Sequence, residues 1–371
     1  MKFEIDCAQL RRISGLANSV VPRSSTQPIF SNVLIRAESG TASFFATDSF
    51  VSLDAKSPAA VAREGATTVS AFTLSEIARR MPDDTSVSLD YDAAQERVEI
   101  KAARAQFQLP TLSAQNFPVF SETEAAVVFE LPSREVKRLL SKAKIAVSLD
   151  QTRKYLTGVN LRATVSSAGP VLRCAAVDGT QLALIETALP DGVEEMPSVI
   201  VPIKAVNEIL NMLDETDQVV RVSVSDKLVV FSSLNVSVSA RPIEGNFPEY
   251  ERLIPRSNET RLMVDAARLS VAINRIATVS IDKSKSIKLT MDDGNLQLSI
   301  NSAEFGSAED NLEVSYSQPR FEVKFSHRHL LDILALMDNS NAIFHLQPGG
   351  AALITDDNDD DATFVVMPQR I

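Results

Sequence analysis

The sequence predicts an α+β protein built by repetition. A one-sided helical pattern recurs six times at nearly even spacing, the stretches between helices switch to a period of two, and short motifs return at an offset of 126 to 130 residues. Repetition on this scale, with helices set among antiparallel hairpins, differs from the alternating βαβ order of a parallel sheet.

The helical template places apolar residues at i, i+3, i+4 and i+7. It opens with Leu10, Ile13, Ser14 and Ala17, then Leu74, Ile77, Ala78 and Met81, then Val136, Leu139, Leu140 and Ala143. It continues with Val206, Ile209, Leu210 and Leu213, with Leu269, Ala272, Ile273 and Ile276, and with Leu330, Ile333, Leu334 and Met337. Asp6, Asp265 and Ser326 stand where helix N-caps are expected. Short apolar runs such as Val127–Leu131 and Val199–Val201 precede the helices as strands. Arg221–Ser225 and Val236–Ser239 alternate as half-buried antiparallel strands do. Asp293-Gly294, between Leu289–Met291 and Leu296–Leu298, signals a two-residue hairpin.

Units of about 60 residues, each a strand, a helix and several strands, pair into a longer repeat. Asn116-Phe117-Pro118 returns as Asn246-Phe247-Pro248, Ala46-x-Asp48 as Ala176-x-Asp178, and Val33-x-x-Arg36-Ala37 as Val159-x-x-Arg162-Ala163. Polar junctions at Ser121–Ala126 and Ile254–Thr260 predict three domains, 1–124, 125–255 and 256–371.

Composition excludes several classes. Among the 371 residues, 44% are apolar and 23% charged, ordinary for a protein with a buried core. No apolar run is long enough to span a membrane. Met1-Lys2-Phe3-Glu4-Ile5-Asp6 lacks the pattern of a secretory signal, so a cytoplasmic location is expected. Cys7 and Cys174 read as reduced, buried thiols.

The net charge of −11 argues against a nucleic-acid binder until its distribution is read. The six helical windows hold 13 Lys and Arg against 4 Asp and Glu, leaving −20 on the rest of the chain. Arg134, Lys137, Arg138, Lys142 and Lys144 concentrate on one helix. Glu favours helices about as well as Lys and Arg, yet is scarce in them, so the segregation points to helices gathered against a polyanion. With no Trp and only 4 Tyr, a stacking platform for single strands is disfavoured, and contact with phosphates, which positions but does not read sequence, fits better.

Catalytic patterns are missing. The chain has neither a phosphate-binding Gly-rich loop nor a nucleophile elbow nor a zinc-protease helix. His327 and His329 read as polar residues capping the last helix, and the run Asp356–Asp361 as a solvated acidic hairpin tip, since it lacks the Gly and Glu of a calcium loop. Neither a metal nor a cofactor is expected. A hydrolase on a duplicated α+β scaffold is a poor rival on these grounds. A protein-interaction scaffold without DNA is a second rival, with no reason to keep cationic helices.

Together with the opening Met1-Lys2-Phe3, three motifs carry a resemblance over the whole chain: Tyr155-Leu156-x-Gly158-Val159, Asn246-Phe247-Pro248-Glu249-Tyr250, and the closing Val365-Val366-Met367-Pro368-Gln369-Arg370-Ile371. The sequence resembles the beta subunits of bacterial DNA polymerase III, the sliding clamps. The resemblance implies the DNA-clamp fold, a head-to-tail homodimer closed into a ring around double-stranded DNA, and a processivity function without catalysis. Its implied partners are the replicative polymerase, the clamp loader and other proteins carrying a clamp-binding motif. It implies a peptide-binding pocket at Leu156, Val177, Gly179, Thr180, Gln181, Leu182, Pro248, Arg252, Leu253, Val365, Met367, Pro368, Gln369 and Arg370. In that pocket Leu182 and Leu253 are expected as facing walls, with Arg252 and Arg370 at the rim, and the C-terminal run as a groove wall rather than ordinary core. DNA contacts are implied at Arg23, Arg153, Lys154 and Tyr155, joining Arg134, Lys137 and Arg138 from the helix charge. The dimer contact is implied to join Phe107 and Leu109 to Thr278 and Val279.

Overall fold

The computed structural model describes residues 1–118, 127–213, 218–279, 286–302 and 306–369. The predicted junction Ser121–Ala126 lies outside them. Six helices form where the periodicity places them: α1 (Cys7–Val20), α2 (Ala71–Arg79), α3 (Ser133–Ala143), α4 (Ile203–Met212), α5 (Ala266–Ile276) and α6 (His327–Leu334). The predicted stripes of α1, α3 and α5 are buried throughout, for instance Val136, Leu139, Leu140 and Ala143 in α3. Met81 of the second stripe and Leu210 of the fourth are only half-buried, and Met81, Leu213 and Met337 fall just past their helix ends. Asp6 caps α1 by accepting from the Gln9 N–H at 3.0 Å, and Asp265 caps α5 by accepting from Arg268 at 2.7 Å. Ser326 holds the N-cap position of α6 but makes no capping bond, and His327 is buried at the first turn rather than turned to solvent. Ser70, which the sequence reading passed over, caps α2. Among the described residues, no helix is long and apolar enough to cross a membrane.

The chain forms two compact units, Met1–Lys137 with Pro190–Pro242, and Arg138–Leu189 with Ile243–Ile371. In the first unit a five-stranded sheet runs in the order Ala60–Arg63, Lys2–Asp6, Ser86–Asp92, Arg97–Ala102, Ala105–Pro110. An eight-stranded sheet runs Val127–Pro132, Val219–Val224, Val229–Ser233, Val236–Ala240, Val51–Pro58, Thr41–Thr47, Asn32–Glu38, Gly65–Ser70. Its middle seam pairs Val238 with Leu53 and Ser237 with Asp54, so strands from the first and second sequence repeats share one sheet. That pairing satisfies two edges that would otherwise lie open.

Two antiparallel helices of this unit grip each other's ends. Arg12 of α1 donates to the Met212 carbonyl at the end of α4, and Lys204 of α4 donates to the Val20 carbonyl at the end of α1. A cation at a helix C-terminus meets both orphan carbonyls and the negative end of the dipole. Between these grips the Ser19 hydroxyl donates to the buried Glu208 carboxyl. Arg11 does the same for α2, donating to Ala78 O at 3.2 Å and Met81 O at 2.6 Å.

The second unit repeats the device of the shared sheet. Consecutive neighbours are Gly158–Ser166, Gly169–Val177, Gln181–Ala188, Asp359–Val366, Ala352–Asp356, Asn341–Leu346 and Thr260–Asp265, with Leu182 opposite Val365 at the seam. A four-stranded sheet runs Gly306–Glu313, Asn295–Ser302, Ser286–Asp292, Phe321–Ser326. The predicted hairpin is present, with Asp293 and Gly294 both at positive φ, as a tight primed turn requires. Cys7 and Cys174 are buried thiols, not joined in a disulfide.

Candidate functional site

The most developed site on the second unit begins with one aspartate. The Asp178 carboxylate accepts from the Thr180 N–H at 2.7 Å, the Gln181 N–H at 2.9 Å and the Thr180 hydroxyl at 2.8 Å. Gly179 sits at φ +100°, and a Cβ there would meet the Arg153 guanidinium at 3.4 Å. The corner so fixed sets Val177 opposite Leu182, and Leu182 opposite Val365. Alternation along the strands turns all three to one face. Leu156 and Tyr250 pack onto them in a cluster with Ala175 and Leu184, with Phe247, Ile254, Ala351 and Leu353 partly buried against it. Phe247 meets Tyr250 edge to face at 5.7 Å.

The structure therefore brings Leu156, Val177, Leu182 and Val365 together as a floor. Leu182 is 2% exposed, so it is not the open wall expected for it, whereas Leu253 and Met367 remain 51% and 50% exposed. The argument that the C-terminal run would fray is also corrected. Asp359–Val366 lies between two strands, and Met367 and Gln369 donate backbone bonds to Thr180 and Lys324 at 2.8 Å. Gln181 faces away from the cluster: its amide donates to the Ile145 carbonyl at 2.8 Å on the opposite side of the sheet. Pro248 and Pro368 are half-buried, Thr180 and Gln369 exposed, and Arg252 is exposed and paired with Glu249 at 3.0 Å. Arg370 lies outside the described residues.

The sequence reading missed Tyr250 as the hub, although it quoted the motif that contains it. Tyr250 is buried under the Arg162 guanidinium, 5.2 Å from its ring centre, and burial pushes its phenol pKa up against the pull of Arg162 and Arg173. Glu251 pairs with Arg162 and with Arg173, and Arg173 pairs with Glu186.

The loop before Leu156 is tied by Asp150. Its carboxylate accepts from the Thr152 hydroxyl at 2.6 Å, the Thr152 N–H at 3.0 Å and Arg153 Nε at 2.9 Å, which lower its pKa to about 2. Arg153 also donates to the Asp178 carbonyl at 3.3 Å. It is a brace between loop and corner rather than the free cation expected. Lys154 is exposed and Tyr155 is 37% exposed.

Helix cations divide the same way. Arg134 and Lys137 of α3, and Arg23 in the loop after α1, are exposed. Arg138 is not available as expected: it pairs with both Asp359 oxygens at 2.7 and 3.0 Å, and Lys142 reaches Asp359 at 2.8 Å and Asp356 at 3.5 Å. Burial would raise the Asp359 pKa, but the bonds from Lys142 and Arg138 outweigh it and hold the carboxyl low. The run Asp356–Asp361 is thus no plain solvated tip; Asp356 is buried and Asp359 is bound to α3. Part of the helical positive charge serves helix ends and ion pairs, not an open surface.

Phe107 and Leu109 sit half-buried on Ala105–Pro110, the outermost strand of the five-stranded sheet. Thr278 and Val279 lie in the 3₁₀ turn Ala277–Val279 against Gly306–Glu313, the outermost strand of the four-stranded sheet. The Thr278 hydroxyl is occupied, donating to the Arg275 carbonyl at 2.9 Å.

Repeated helix-and-hairpin units joined through shared sheets define a DNA-clamp fold of three similar domains, and comparison with known proteins agrees. The DNA polymerase III beta subunit family matches through its N-terminal domain at residues 1–121, its central domain at 130–249 and its C-terminal domain at 251–370. The chain belongs to this family. The beta sliding clamp of Caulobacter vibrioides is 36% identical over 373 residues, and that of Escherichia coli 29% identical over 375, each covering 100% of both chains. The DnaN sliding clamp from Bartonella birtlesii, solved bound to griselimycin, superposes with a TM-score of 0.94 at 34% identity over 100% of both chains. A Caulobacter crescentus beta sliding clamp superposes at 0.93 with 35% identity, covering 100% of this chain and 99% of that one.

Proposed function

We infer that this protein is a DNA sliding clamp, a processivity factor that encircles duplex DNA and tethers a replicative polymerase and other motif-bearing partners. The single observation carrying this is the family match in all three domains along the full length of chain and relatives alike. In this reading the domains are 1–124, 125–255 and 256–371, the protein is cytoplasmic, and it catalyses no reaction. Two copies close head to tail, Phe107 and Leu109 of one meeting Thr278 and Val279 of the other. Two outermost strands, each lacking a neighbour on one side among the described residues, support that closure, because a closed ring pairs both edges.

The partner pocket has Leu156, Val177, Leu182 and Val365 as its floor, Gly179 and Thr180 at the corner, and Leu253, Met367, Pro248 and Pro368 as its apolar rim. A fixed floor under half-exposed rim residues suits a short segment with one or two apolar anchors. Such a segment buries little area, so affinity in the micromolar range is expected. Arg23, Arg134, Lys137, Lys154 and Tyr155 supply weak contacts to phosphates, which position without reading sequence and leave the ring able to slide.

The test is retention on nicked circular DNA, loaded with clamp loader and ATP, against the same DNA linearised. A sliding clamp stays on the circle and runs off the ends of the linear form. Equal retention on both would sink encirclement.

A further inference from the structure

The first unit carries a second groove at the station where the second unit carries its apolar site. It is an open cavity of about 570 Å³ on the helix-free face of the eight-stranded sheet. Alternation sets this face. Val33, Ile35, Phe44, Ala46, Leu53 and Ala55 turn inward and are fully buried, while Arg36, Ser43, Phe45, Asp54 and Lys56 turn to the groove over Leu34, which lines it but is only 3% exposed.

Register arranges these side chains in two rows. Arg36 lies opposite Ser43, and Ser43 opposite Lys56, so two cations flank one hydroxyl, about 10 Å apart at their Cα atoms, two strand spacings. Two residues along each strand, Leu34 lies opposite Phe45 and Phe45 opposite Asp54. The second row is therefore apolar on two of its three strands. Phe45 is held edge-on by Phe117 at 5.8 Å. Among the described residues, neither Arg36 nor Lys56 makes a side-chain hydrogen bond or an ion pair within 4.0 Å. Both are exposed.

We propose that this groove is a second docking site for an extended peptide segment of a partner, carrying a carboxylate side chain and, two residues on, an apolar one. The carboxylate sits between Arg36 and Lys56 over the Ser43 hydroxyl, and the apolar side chain covers the half-buried Phe45. The fit rests on charge and on spacing. Two long cations on either side of a hydroxyl complement one carboxylate, and side chains two residues apart in an extended peptide are separated by about 6.5–7 Å, the same as the two rows. Glu38 and Asp54 flank the cations and set the selectivity: a segment with several acidic residues in succession is repelled. Asp54 is half-buried, and burial raises its carboxyl pKa against the opposing pull of Lys56 and Arg36.

The test uses the full chain and a fluorescent peptide, acetyl-Ala-Asp-Ala-Phe-Ala-amide, with its Asn counterpart as control. Anisotropy is titrated with wild type, with the double variant R36Q/K56Q, and with Leu253→Ser, which alters the apolar site of the second unit. The proposal expects the Asp peptide to bind wild type and Leu253→Ser alike, to weaken at least tenfold on R36Q/K56Q, and to lose affinity as salt rises. The Asn peptide should bind at least tenfold more weakly throughout. Both substituted cations are exposed, so the variant keeps its fold, checked by an unchanged melting curve. Equal affinity for R36Q/K56Q and wild type, loss confined to Leu253→Ser, or no binding to wild type at millimolar peptide would each overturn the proposal.

Discussion

At Asp48 the carboxylate accepts from the N–H groups of Phe50 at 2.9 Å and Val51 at 2.7 Å, and the Phe50 carbonyl receives the Arg241 N–H at 3.0 Å. At Asp178, 130 residues later, it accepts from Thr180 and Gln181 at 2.7 and 2.9 Å, and the Thr180 carbonyl receives the Met367 N–H at 2.8 Å. The two units thus build one backbone corner twice. What lies on it differs. Where the second corner sets Val177 opposite Leu182, the first sets Thr47 opposite Ser52, with the Ser52 hydroxyl donating to Thr47 at 2.8 Å. One corner floors an apolar site and the other a polar, charged face. Repetition supplies the frame, and a few side chains on its outer face decide what can dock there.

The comparison breaks most visibly at the floor. Leu182→Ala should cost about 2–5 kcal/mol, because a fully buried leucine leaves a cavity, whereas Ser52→Ala at the matching station should cost about 1 kcal/mol, one hydrogen bond. Urea denaturation of the two variants against wild type measures the difference, and equal costs would refute the contrast drawn between the floors. The corner aspartates come next. The second oxygen of Asp48 pairs with the Lys204 ammonium at 2.6 Å, where the second oxygen of Asp178 accepts from the neutral Gln181 amide at 3.2 Å. Asp48→Ala should therefore destabilise more than Asp178→Ala, by about 1 kcal/mol for a partly exposed ion pair.

At the rim the effect moves from stability to binding. Leu253→Ser should leave the denaturation midpoint within about 0.5 kcal/mol of wild type, as an exposed residue does, yet weaken a clamp-motif peptide about tenfold in calorimetry. Phe50→Ser, on the other corner, should change neither. The smallest effect is pH-dependent. Burial raises the Glu208 carboxyl above its ordinary 4.5, against the bond from Ser19. A raised carboxyl pKa favours the protonated folded state, so its contribution is full below about 4.5 and is lost as pH rises through the folded value. Glu208→Gln should then match wild type near pH 4.5 and show the higher urea midpoint at pH 8. The opposite trend would mean that the ionised carboxylate is the stabilising form.

Local order was legible because it is written locally. The apolar stripe of α3, the Asp6 and Asp265 caps and the Asp293-Gly294 turn each depend on residues within one turn of helix or hairpin. The floor of the apolar site was legible through motifs near it. What stayed hidden depends on distant partners. Nothing in Val236–Ala240 announces Val51–Pro58 as its neighbour, and the Ser326 hydroxyl carries no sign that α6 starts without its bond. Arg138 and Asp359 are 221 residues apart, so a cation read as open proved to be an ion-pair member. Gln181 and Leu182 are adjacent and were grouped together, yet the pleat sends them to opposite faces.

The two grips between α1 and α4 also have a mechanical consequence. The helices run antiparallel, and each holds the other's last carbonyl, Arg12 on Met212 and Lys204 on Val20. Sliding α1 along α4 in one direction stretches the first bond, and sliding it back stretches the second. The joint therefore resists shear in both senses while leaving rotation about the contact line comparatively soft. A load along the helix axes is carried by one charge-assisted bond in one direction and by the other when the direction reverses.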